Sequence, residues 1–70
     1  TVTVKIGSVE HPMTEEHYIQ WVYLETEKGG MRKCLNPGQK PEVTFELTAD
    51  DKALAAFEFC NLHGLWKATV

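Results

Sequence analysis

Apolar and polar residues alternate along most of this chain, which is the signature of half-buried β-strands. Val2, Val4 and Ile6 face one way, Thr1, Thr3 and Lys5 the other, and Gly7-Ser8 ends the segment. Residues 18–27 are rich in β-branched and aromatic types, which suit a strand. Strict alternation puts Ile19, Trp21 and Tyr23 on one face and Tyr18, Val22 and Leu24 on the other, so this strand is buried on much of both sides. Lys28-Gly29-Gly30 turns the chain, residues 31–35 form a short strand, and Asn36-Pro37-Gly38 closes it. Val43, Phe45 and Leu47 then alternate with Glu42, Thr44 and Glu46, and residues 48–52 are a polar turn. Residues 53–59 carry enough alanine for a helix. A short apolar run between a turn and a Cys-x-x-His fits a strand better. Residues 65–70 are a last short strand or tail, and residues 8–17 read as a loop with a helical turn after Thr14. Five or six strands, with turns about every ten residues and no helical periodicity, predict an all-β sandwich of short antiparallel strands.

Seventy residues make a single domain. A core of this size supplies only about 3–5 kcal/mol without a staple. A Cys34–Cys60 disulfide is one candidate staple, and a bound metal is the other, because metal binding energy is folding energy when only the fold holds the site. The net charge is −3 and the basic residues are scattered apart from Arg32-Lys33, so the stripe that nucleic acid requires is missing. No run approaches the roughly 20 apolar residues of a membrane span. Few cysteines and no apolar N-terminal run predict a reducing, cytoplasmic setting.

The chemistry is concentrated in two short clusters. All three histidines fall in them: His11 and His17 in the first, His63 in Cys60-Asn61-Leu62-His63. Thiolate and neutral imidazole are good ligands for iron or zinc, and a Cys-x-x-His turn delivers both to one ion. Such a turn also aims the Leu62 and His63 amides back at the sulfur, and Gly64 lets the chain leave the site. Taken singly, a cysteine in an apolar strand is a small buried hydrophobe, and a histidine beside two glutamates is a solvated surface residue. Their confinement to two clusters shifts the balance toward a metal. Cys34 lies alone, Glu15 and Glu16 are charge balance, and Trp21 and Trp66 are expected in the core or the site wall.

Four segments carry a resemblance: His11-Pro12-Met13, Glu16-His17-Tyr18-Ile19 with Trp21, Leu35-Asn36-Pro37-Gly38 with Pro41-Glu42-Val43, and Cys60 to Lys67. In them the chain resembles superoxide reductase, the catalytic domain of desulfoferrodoxin and neelaredoxin, over essentially its whole length. The resemblance implies an immunoglobulin-like β-sandwich. It implies one mononuclear iron (Fe2+/Fe3+) per domain, with His11, His17 and His63 as equatorial metal ligands and Cys60 as the axial thiolate of the reactive iron. It implies reduction of superoxide to hydrogen peroxide at an open position opposite Cys60. The electron would come from a small donor protein such as rubredoxin, and the resemblance leaves room for a homo-oligomer.

Two departures from the family pattern stand out. The family's fourth histidine lies upstream of His11, in a loop with a glutamate and a lysine, and residues 1–10 hold no counterpart. Lys5, Lys67, Glu15 and Glu16 do not match that loop. The chain therefore reads as the C-terminal part of a longer reductase. The family's N-terminal four-cysteine iron centre is likewise excluded from a chain with 2 cysteines. The competing reading is a non-catalytic sandwich stapled by structural zinc or iron, since three histidines and a cysteine also suit tetrahedral zinc.

Overall fold

The computed structural model describes residues 1–7 and 11–69. Among them the chain forms β1 (Val2–Lys5), β2 (Ile19–Thr26), β3 (Gly29–Cys34), β4 (Glu42–Phe45), β5 (Ala53–Cys60) and β6 (Gly64–Thr69), with no helix. β1 and β4 pair into a 2-stranded sheet, and the rest form a 4-stranded sheet in the order β3-β2-β5-β6. Every pairing is antiparallel. The all-β sandwich is as expected, and residues 53–59 are strand: β5 is a central strand whose backbone groups are paired on both sides, to β2 and β6.

The two sheets meet over a small core. In the small sheet Val2 lies opposite Phe45 and Val4 opposite Val43, so the apolar alternate positions stack on one face. Phe45 and Val43 bury against Ile6, Ile19, Val22, Leu24 and Cys60. Lys33, paired with Val22, bridges the sheets at one edge: its Nζ donates to the Thr44 carbonyl at 2.6 Å and lies 5.5 Å over the Phe45 ring. The stem covers apolar surface while the charged end finds an oxygen.

One face assignment is corrected. Ile19 pairs with Cys60 and Trp21 with Phe59, so β2 advances two residues where β5 advances one. This bulge at Gln20 rotates Ile19 onto the face of Val22 and Leu24, and all three are fully buried. An extra residue is invisible to a strict period of two and moves everything beyond it to the other face. Trp21 and Tyr23 consequently share the outer face of the large sheet with Phe59 and Phe57. Trp21 stacks on Phe59 at 5.7 Å, and Tyr23 tilts against Phe57 at 6.0 Å. Trp21 is half-buried there, and Trp66 is 59% exposed on the edge strand β6, so neither belongs to the core. Nor does a helical turn follow Thr14. Residues 14–17 form a tight bend in which the Thr14 and His17 amides donate to each other's carbonyls at 3.0 and 3.2 Å.

Candidate metal centre

The second cluster is delivered by a hairpin. Cys60 ends β5 and pairs with Gly64 at the start of β6, leaving Asn61-Leu62-His63 as a three-residue loop. Gly64 has φ +79°, the left-handed conformation such loops use to rejoin the sheet and one that L side chains avoid. Cys60 is thereby locked at the rim of the core, 1% exposed, while His63 stands exposed at the loop tip.

The first cluster sits on the loop before β2. The bend at residues 14–17 is braced by the Thr14 hydroxyl, which accepts from the His17 amide at 3.2 Å. Met13 ties the loop down twice. Its carbonyl accepts from Gly38 N at 2.7 Å, and its sulfur accepts from Ile19 N at 3.4 Å. His11 Nδ1 lies 2.7 Å from the Pro12 carbonyl. A hydrogen bond to a carbonyl makes Nδ1 the protonated nitrogen and leaves Nε2 as the free donor, the usual way a ligating histidine has its tautomer set.

The pairing of Ile19 with Cys60 brings the two clusters together. One donor atom each from His11, His17, Cys60 and His63 falls within 4.8 Å of the others. The rings meet edge to face, His11 to His17 at 4.9 Å and His17 to His63 at 4.8 Å between centroids. His63 Nδ1 lies 3.9 Å from Cys60 Sγ. His17 Nε2 is buried and has no hydrogen-bond partner. An unpaired buried nitrogen costs about 1–3 kcal/mol, and a metal ion at the centre of the cluster would remove that cost. Burial disfavours the charged form of His17, and the neighbouring His11 and His63 add to this, so its pKa is lowered from the usual imidazole value. A neutral imidazole is the form that binds metal. The residues present therefore fit a single transition-metal ion.

All four expected ligands are gathered. Cys34 is an exposed free thiol, Cys60 is also free, and no disulfide joins them. Glu15 and Glu16 are exposed. The expected amide bonds to sulfur are replaced by other neighbours: the Sγ partners are His63 Nδ1 and, at 4.0 Å, Asn61 Oδ1. Two residues near the site escaped the sequence reading. Glu58 lies two positions before Cys60 on the same face of β5, and burial raises its carboxyl above the usual range, partly opposed by His11. Its alternation with Cys60 was the available signal. Asn61 is the second, and no local pattern marks it.

A small antiparallel sandwich with three imidazoles and a thiol converging at one end defines a β-protein with a mixed nitrogen–sulfur donor cluster suited to a metal. The desulfoferrodoxin family model matches residues 1–69, and the chain belongs to that family. It is 48% identical to the desulfoferrodoxin of Syntrophotalea carbinolica over 67 residues, covering 96% of this chain and 52% of that protein. It is 33% identical to the superoxide reductase of Pyrococcus horikoshii, covering 99% of this chain and 71% of that one. The crystal structure of the superoxide reductase from Treponema pallidum superposes with a TM-score of 0.92 at 61% identity, over 96% of this chain and 54% of that chain. The chain thus spans about half the length of the desulfoferrodoxins it matches.

Proposed function

We propose that this chain carries the reactive centre of a superoxide reductase, which combines superoxide with one electron and two protons to give hydrogen peroxide. The observation that carries the reading is the convergence of His11, His17, His63 and Cys60 within 4.8 Å. Relatives that bear the superoxide reductase name support it. In this reading His11, His17 and His63 would hold the metal through imidazole nitrogen and Cys60 through its thiolate. Iron bound there would supply the one-electron couple.

The chain's own residues do the rest. Cys60 is fixed by a central strand and is buried at the rim of the core, so its sulfur would offer an ion a donor shielded from water. The neutral form of His17 is favoured by burial and by its two neighbouring rings. His11 is oriented by the Pro12 carbonyl. The exposed His63 marks the side from which a small anion reaches the cluster. A small iron protein such as rubredoxin would deliver the electron at the same exposed end. A reducing cytoplasm keeps both thiols free, as they are here.

One observation favours a second reading. Three imidazoles and one thiol complete the four ligands of a closed tetrahedral zinc site, which would staple the fold without reacting. Metal analysis and a visible spectrum after mild oxidation separate the two. The reductase reading expects one iron per chain and a broad red-region thiolate-to-iron band that Cys60→Ser abolishes and azide shifts. A colourless protein holding zinc, with superoxide consumed no faster than background, would establish the structural reading instead.

A further inference from the structure

The two donor loops come from opposite ends of the chain, and something must hold them in register before any ion arrives. One side chain spans them. Asn61 Oδ1 accepts from Tyr18 N at 3.0 Å, and Asn61 Nδ2 donates to the Glu16 carbonyl at 3.0 Å. The Asn61 backbone N donates to the Tyr18 carbonyl at 3.2 Å. Glu16 and Tyr18 are the chain neighbours of His17, so one residue between Cys60 and His63 grips His17 from both sides.

The chemistry of the grip is specific. A carboxamide offers an acceptor and a donor side by side, as the Tyr18 amide and the Glu16 carbonyl require. Aspartate would set an oxygen against the Glu16 carbonyl, and alanine would leave both groups without this partner. The His17 ring cannot hold itself, because its Nε2 has no hydrogen bond. Its place beside His63 and Cys60 therefore depends on how its backbone is tethered. We infer that Asn61 is a positioning residue that presets His17 against the Cys60–His63 hairpin for metal capture. The inference rests on the metal-centre reading given above.

Titration of the metal-free protein with Co2+ tests it, read by the ligand-field and thiolate bands and with folding followed by circular dichroism. Partners that orient metal ligands typically contribute 10–100-fold in affinity. Asn61→Ala is expected to weaken Co2+ binding about tenfold and to alter the band shape. Asn61→Asp, which keeps the Tyr18 acceptor, is expected to lose less. The decisive comparison uses a His17→Ala background. There Asn61→Ala should change Co2+ affinity less than about twofold, because the ligand it positions is gone. An equal loss in both backgrounds, or a fall in melting temperature with affinity and spectrum unchanged, would reduce Asn61 to a structural residue and overturn the inference. Wild-type protein that takes up no Co2+ would overturn the metal-centre reading itself, and the inference with it. Asn61→Asp carries the test if Asn61→Ala does not fold.

Discussion

Replacing Ile19 with valine removes one methylene at the point where the core meets the candidate metal centre. Ile19 is fully buried, lies opposite Cys60 and follows His17 by two positions. Losing one buried methylene costs about 0.8 kcal/mol in transfer free energy. The gap left behind raises the total to about 1 kcal/mol, within the usual 0.5–1.5 range. With an unfolding entropy near 2.1 cal/mol/K per residue, a chain of 70 residues changes stability by about 0.15 kcal/mol per degree near its melting point. Ile19→Val should therefore melt about 7 °C lower than wild type in the presence of a chelator, by circular dichroism. Excess metal stabilises any variant that keeps its ligand geometry by the same amount at a given ratio of ligand to Kd. The gap between the two proteins should then persist when Co2+ is added. A gap below about 2 °C without metal would refute the claim that the core is close-packed at Ile19. A gap that widens with metal would refute the separation of core packing from ligand placement. Ile19→Ala, costing about 2–5 kcal/mol against a total near 3–5, should unfold without metal and recover with it.

Other outcomes follow from single residues. Burial raises the Glu58 carboxyl above 4.5, so as pH climbs through that value the unfolded chain ionises first and wild type loses stability. Glu58→Gln should be the more stable protein at neutral pH, with the difference closing near pH 4, read from urea midpoints of the metal-free form. His17 is shifted the other way, below 6.5, so its neutral burial supports the fold above that pH and the support is lost as pH falls through the folded value. Acidification from pH 7 to 5 should destabilise metal-free wild type more than His17→Ala in the same measurement. A methyl group added at Gly30 would collide with the Tyr23 ring. Gly30→Ala should cost about 1–3 kcal/mol and change the near-ultraviolet dichroism as Tyr23 leaves Phe57; an unchanged spectrum would contradict the close approach.

Alternation located β1 and β4, and residue type with turn boundaries located β2, β3 and β5, because these signals are set by immediate neighbours along the backbone. Turn chemistry was legible for a similar reason: Gly64 at φ +79° and Gly38 at φ +89° occupy conformations that other residues resist. The two ligand clusters were also local, since His11 with His17, and Cys60 with His63, each lie within one short segment of sequence. Their convergence was not local. It follows from the pairing of β2 with β5, which sets Ile19 opposite Cys60, 41 positions further along the chain, and carries His17 to the hairpin. The bulge at Gln20 decided which face of β2 is buried, and no periodic rule contains an inserted residue. The outward turn of Trp21 and the exposure of Trp66 depended on which sheet packs on which face. The grip of Asn61 on Glu16 and Tyr18 came last, because a hydrogen bond between residues 43 and 45 positions apart exists only once both loops are in place. Residue type and short-range order are written along the chain; contact between distant segments is decided by packing, where burial and backbone pairing select one register from many.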